Sequence, residues 1–172
     1  IIVFYPKNGV SPIQEKQMVT QKGANTFVVG IHGNFDDAQT GVKKMFGDKE
    51  LAAQMDKAGY QFSSANSINI GRLVPQVVYY VYAYASLVRQ GKIKDGQEIN
   101  VVVPTGNFGN ILAAYYAKNM GVPIDKLICA SNDNKVLYDF FRTGTYDRNR
   151  EFILTTSPSM DILISSNLER LI

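Results

Sequence analysis

The spacing of apolar positions changes period several times along the chain, and the changes mark out alternating strands and helices. Ile1-Ile2-Val3-Phe4-Tyr5 is a short apolar run stopped by Pro6 and Gly9, and it predicts a strand. Ser11-Pro12 predicts a helix start, with a capping hydroxyl and a proline at the first helical position, running on to a stop at Gly23. Residues 26–31 read as a second strand. After it, Asp36 or Asp37 can cap a helix whose buried stripe is Ala38, Val42, Met45 and Phe46. Gly47-Asp48 breaks that helix, and Leu51, Met55 and Ala58 carry a further one to Gly59. Residues 1–59 therefore predict half of a doubly wound α/β sheet with short connections.

Residues 61–72 are polar and rich in Ser and Asn, and they place a domain boundary that divides the chain into 1–62 and 63–172. The stretch 73–89 is apolar nearly all round, which predicts a buried helix. The β-branched run 99–103 predicts a strand covered on both faces of a parallel sheet, ended by Pro104, which has no N–H for a ladder. From about Gly109 the spacing of Ile111, Leu112, Tyr115 and Tyr116 is helical. Gly121-Val122-Pro123 turns the chain into a strand over 126–130, and Ser131-Asn132-Asp133-Asn134 form a polar loop at its end. Val136, Leu137, Phe140 and Phe141 predict a helix closed by Gly144. Residues 152–155 predict an edge strand, and Ser157-Pro158 a helix through Ile162, Ile164, Leu168 and Leu171.

Composition narrows the classes. A chain of 172 residues, 45% hydrophobic, can bury a core in one domain or two small ones. A net charge of +3 with scattered basic residues argues against nucleic-acid binding by bulk electrostatics. The single cysteine, Cys129, excludes an internal disulfide and fits a reducing, cytoplasmic setting. It sits in the apolar run Leu127-Ile128-Cys129-Ala130, which favours a buried strand residue over a nucleophile. No signal-peptide pattern is visible, and the most apolar segment is too short and interrupted to span a bilayer, so neither a membrane nor a nucleic acid is expected as a partner. One His and one Cys offer no clustered ligand set, so no metal site is expected, and His32 reads as a strand-end residue.

The chemistry concentrates in two segments. Thr105-Gly106-Asn107-Phe108-Gly109 joins the strand over 99–103 to a helix, and its glycines can take backbone angles closed to other residues. Free N–H groups at a helix N-terminus suit an anion, best a phosphate; a simple tight turn is the plainer alternative. The dinucleotide fingerprint needs three glycines in another spacing, a P-loop needs a following Gly-Lys-Ser/Thr, and neither is present. The second segment holds Asn66, Ser67, Asn69 and Arg72. A guanidinium beside amides and a hydroxyl suits a phosphate or carboxylate, and a polar capping loop with a surface arginine is the alternative.

Taken together, Pro104-Thr105-Gly106-Asn107-Phe108-Gly109-Asn110 and Ser64-Ala65-Asn66-Ser67-Ile68-Asn69-Ile70-Gly71-Arg72 resemble the threonine synthase family. The likeness extends to Tyr5-Pro6, Ser11-Pro12-Ile13-Gln14-Glu15-Lys16, Gly33-Asn34-Phe35-Asp36-Asp37 and Ser157-Pro158-Ser159-Met160-Asp161. The resemblance implies an incomplete three-layer α/β sandwich of the tryptophan-synthase-β type, with part of a small domain in 1–62 and part of a large domain in 63–172. It implies pyridoxal 5'-phosphate (PLP) as cofactor and the conversion of O-phospho-L-homoserine and water to L-threonine and phosphate. By resemblance Thr105, Gly106, Asn107, Phe108 and Gly109 would cradle the cofactor phosphate, while Asn66, Ser67, Asn69 and Arg72 would hold the substrate phosphate. Serine or threonine dehydratases and cysteine synthases share the fold but usually carry a more glycine-rich loop.

The family's Schiff-base lysine belongs to a Phe-Lys-Asp motif, and no such tripeptide occurs here. The chain therefore reads as an internal piece of such an enzyme, without a catalytic residue and inactive by itself. Exposed sheet edges would favour self-association. A non-catalytic phospholigand-binding or interaction domain is the alternative function.

Overall fold

Strands β1 (Ile2–Pro6) and β2 (Phe27–Ile31) lie parallel, Ile2 opposite Phe27 and Pro6 opposite Ile31. The coordinates are a computed structural model that describes residues 1–64, 67–157 and 160–172, and Phe35 by its backbone alone. Helix α1 (Pro12–Val19) connects the two strands and starts as the sequence predicts. Ser11 Oγ accepts from Gln14 N, and Gln14 Oε1 accepts from Ser11 N, the two halves of a capping box. The helix stops short of Gly23, because the amide and hydroxyl of Thr20 both donate to Lys16 O and close the last turn there.

Helix α2 (Phe35–Gly47) is capped by Asn34, not by Asp36 or Asp37. Asn34 Oδ1 accepts from Asp37 N at 2.9 Å and Asp37 Oδ2 accepts from Asn34 N at 2.8 Å. The two aspartates fall instead in the first turn, where their charge faces the positive end of the helix dipole. Asp48 breaks α2 and caps α3 (Lys49–Lys57) through Leu51 N. These elements belong to one compact unit, Ile1–Phe62; the rest of the chain, Ser63–Ile172, forms a second.

In the second unit the single helix expected over 73–89 is three pieces: α4 (Ile70–Leu73), a 3-10 turn at Val74–Gln76 and α5 (Val77–Arg89). Pro75 lies in the turn, where a missing N–H costs least. The expectation of burial all round does not hold either. Leu73, Val77 and Tyr84 are buried, while Val78, Tyr79 and Tyr82 are each more than 60% exposed.

Strands β3 (Ile99–Pro104) and β4 (Ile124–Ala130) are again parallel, with Val101 opposite Leu127 and Val103 opposite Cys129. The ladder shifts register after Ile99, and there the Asn100 side chain accepts from Lys126 N at 3.0 Å in place of backbone. Helix α6 (Gly109–Asn119) connects them, and its Ile111 and Leu112 join Val103, Phe108 and Leu137 in the core. Only one face of this strand pair is covered, contrary to the sequence reading: Val103 is 3% exposed and Val102 61%. Helix α7 (Val136–Thr143) ends at Gly144 in the left-handed conformation.

Beyond α7 the predicted strand over 152–155 and the helix through Leu171 do not form; the described residues there are irregular with a few bends, and 3-10 geometry occurs only at Met160 and at Leu168–Arg170. The start predicted at Pro158 lies outside the described residues. Side chains satisfy this backbone instead. Asn134 Nδ2 donates to Ile153 O and its Oδ1 accepts from Ile153 N, as a neighbouring strand would. The buried Asp161 carboxylate accepts from Asn132, Asn134, the Thr155 hydroxyl and Thr155 N. These side-chain bonds satisfy backbone groups that a ladder would otherwise pair. Among the described residues no helix is long and apolar enough to cross a membrane, and no metal-binding cluster occurs.

Candidate functional site

The turn between β3 and α6 departs from ordinary backbone at two positions, Gly106 (φ 42°) and Phe108 (φ 64°). A left-handed glycine is unremarkable, but a left-handed phenylalanine is an outlier that its surroundings must hold in place. Phe108 is 4% exposed, with its ring 6.0 Å from that of Phe141. Its amide donates to Thr105 O at 3.0 Å. Neither its side chain nor its N–H therefore faces the neighbouring pocket, although the sequence groups it with the cofactor loop.

Gly109 is a glycine for another reason. Its backbone is not left-handed, but a Cβ there would lie 2.6 Å from Ser67 Cβ and Oγ and 3.2 Å from Asn167 Nδ2. The bare backbone lets the Ser67 segment rest on the start of α6. Around it, the amides of Gly106, Asn107, Gly109, Asn110 and Ile111 donate to no backbone acceptor among the described residues. Thr105 is tied elsewhere: its amide and hydroxyl both donate to Ala130 O, and its Oγ lies 3.4 Å from Cys129 Sγ. Burial raises the Cys129 thiol above its ordinary value, which disfavours the thiolate a nucleophile needs.

Gly106, Asn107, Gly109 and Asn110 line a cavity of about 260 Å³. Pro104 and Thr105 line it with them; Ser67, Arg72 and Gln76 face them, and Met160 completes the wall beside Gly106. The cavity thus brings together the two segments that the sequence singled out separately. Asn66 lies outside the described residues. Asn69 does not line the wall: its Oδ1 caps α4 through Gly71 N at 2.9 Å, and its Nδ2 donates to Ser64 O. Asn107 Oδ1 is buried and has no hydrogen-bond partner among the described residues.

Residues the sequence did not mark hold this site. Asn110 Nδ2 donates to Gln76 Oε1, Tyr80 donates to Asn110 Oδ1, and Gln76 Nε2 donates to Arg72 O. This chain of bonds ties the start of α6 to the segment bearing Arg72. Burial pushes the Tyr80 hydroxyl up to about 12. Asn167 and Arg170 reach the Ser67 segment from a hundred residues away. Asn110 ended the turn motif and could have been included; no local spacing points to Asn167 or Arg170. A larger cavity of about 440 Å³ beside Cys129, Phe108 and Tyr138 is mostly apolar and offers Arg142 as its one charged lining residue.

No protein-family model matches the chain. It is 53% identical over 172 residues to "Threonine synthase-like 1" of Homo sapiens, covering 99% of this chain and 23% of that protein. It is 43% identical over 172 residues to threonine synthase of Saccharomyces cerevisiae, covering 100% of this chain and 32% of that protein. Among solved structures, Escherichia coli threonine synthase superposes with a TM-score of 0.84 at 36% identity, over 99% of this chain and 37% of that one. A PLP-bound threonine synthase from Brucella melitensis superposes with a TM-score of 0.76 at 44% identity, over 99% of this chain and 34% of that one. The chain spans about a quarter to a third of the curated relatives it matches.

Proposed function

The chain belongs to the threonine synthase family, and on that premise we propose that its cavity is the phosphate-binding part of a PLP-dependent threonine synthase. In the complete enzyme the reaction converts O-phospho-L-homoserine and water to L-threonine and phosphate. One observation carries the reading: a single cavity gathers Ser67 and Arg72 with the amides of Gly106, Asn107 and Gly109. On this reading Ile1–Phe62 is part of the small domain and Ser63–Ile172 part of the large one, in a cytoplasmic enzyme.

The residues present fit the cofactor's phosphate. Unspent amides at the N-terminus of an eleven-residue helix favour a dianion through both hydrogen bonds and the helix dipole. The space a Cβ at Gly109 would fill is what brings Ser67 up to that helix end. The unpartnered Asn107 Oδ1 calls for a ligand that also carries a donor. When bound, PLP supplies the electron sink for chemistry at the amino-acid carbons. The protein's part is to hold and orient: the amides of Gly106, Asn107, Gly109 and Asn110 anchor the cofactor phosphate. Arg72 and Ser67 bind the substrate phosphate, and Arg72 neutralises charge as that group leaves. Asn66 joins them by resemblance, and Asn69 supports the turn. With no Phe-Lys-Asp lysine in its 172 residues, the chain alone turns over no substrate. Its exposed Val78, Tyr79 and Tyr82 support self-association.

Two ligands separate the roles. PLP added to the chain is expected to shift the amide resonances of Gly106, Asn107 and Gly109, and O-phosphohomoserine those near Ser67 and Arg72. Arg72→Ala should weaken the second ligand at least tenfold, the scale of a lost charged hydrogen bond, and leave the first within about twofold. Loss of both ligands together, or shifts mapping outside the cavity, would contradict the assignment.

A further inference from the structure

Asn167 is fully buried, and its neighbours settle which way its amide points. Arg170 Nη1 donates to Asn167 Oδ1; a guanidinium cannot accept, so the Asn167 nitrogen must face the two loops. That nitrogen donates to Ser67 Oγ at 2.8 Å and to Asn107 O at 3.0 Å. Arg170 also donates to the carbonyls of Ser67 at 2.8 Å and Ile68 at 2.6 Å. Among the described residues Arg170 makes no ion pair, so its charge is directed at carbonyl oxygens and at Asn167.

This pattern determines the Ser67 hydroxyl. A serine hydroxyl has one proton and two acceptor sites. Asn167 occupies one acceptor site, and the proton has no acceptor among the described residues. Ser67 lines the cavity. We infer that Asn167, polarised by Arg170, is a positioning residue that turns the Ser67 proton into the cavity as a donor to a phosphoryl oxygen, while clamping the Ser67 segment to the glycine turn. A donor chain that begins on a cation strengthens each later bond, so the distant Arg170 charge reaches the ligand without touching it. The inference rests on the phosphate-binding reading above.

The test is a double-mutant cycle on inorganic phosphate affinity, read from the Ile68 and Arg72 amide shifts of the 172-residue chain, the reporters of the Ser67 side of the cavity. Asn167→Leu and Ser67→Ala are each expected to weaken binding roughly tenfold. The double variant should be no more than about twofold weaker than Ser67→Ala, because Asn167 acts through Ser67. A purely structural Asn167 would weaken both backgrounds equally, and that result overturns the inference. Should Asn167→Leu fail to give a folded amide spectrum, Arg170→Gln keeps donors and removes the charge. It should weaken phosphate severalfold in the parent and not in Ser67→Ala. Absence of any phosphate-dependent shift in the parent chain would instead remove the phosphate-binding reading, and this inference with it.

Discussion

At Gly109 the constraint is space and at Gly106 it is backbone conformation, so the two glycines of one turn should respond differently to the same substitution. Gly109→Ala sets a Cβ 2.6 Å from Ser67 Cβ and Oγ, atoms close to backbone that cannot swing away. It is expected to cost about 1–3 kcal/mol, as overpacking does, and to displace Ser67 from the cavity. Gly106→Ala meets only the flexible end of Met160, with Cε at 3.3 Å, and pays chiefly for a left-handed alanine, about 1–2 kcal/mol. Urea denaturation checks the costs, and phosphate titration should show that Gly109→Ala loses more affinity than Gly106→Ala. The sequence made both glycines legible as special without separating their reasons. The conformation of Phe108 was not legible at this scale, since no rule from sequence places a bulky residue at φ 64° with its side chain turned into the core.

Between elements, the Tyr80–Asn110–Gln76 chain carries α5 to the start of α6, and it is pH-sensitive at one end. Burial raises the folded-state Tyr80 hydroxyl from 10.0 to about 12, so folding favours the neutral phenol. That contribution is complete below pH 10 and is lost as pH rises through about 12. The chain should therefore lose stability across that interval, and Tyr80→Phe should lose distinctly less, as thermal unfolding at stepped pH would show. An equal alkaline loss in both proteins would assign the effect to other groups. Elements were legible where hydrogen bonds are local and backbone-made: α1 through its capping box, β3 through its β-branched run, and α7 through Gly144. They were not legible over residues 152–171. There Asn134 and Asp161 supply bonds that a strand or helix would have made, from positions no periodicity links.

For the whole molecule, the two polar segments were readable separately as candidates, and their meeting in one cavity was not. The contact depends on Asn167 and Arg170, about a hundred residues from Ser67, in a region whose sequence looked helical. The exposed faces of α5 and β3 were also invisible to a reading that took apolar runs as buried. The central claim is that the amides at the start of α6 hold the phosphate of PLP. The most direct measurement is the phosphorus-31 resonance of PLP titrated with the parent chain, with Gly109→Ala and with Arg72→Ala. A shifted, broadened signal with the parent and with Arg72→Ala, strongly reduced with Gly109→Ala, is the predicted result. A signal unaltered by the parent chain, or altered equally by Gly109→Ala, would contradict it.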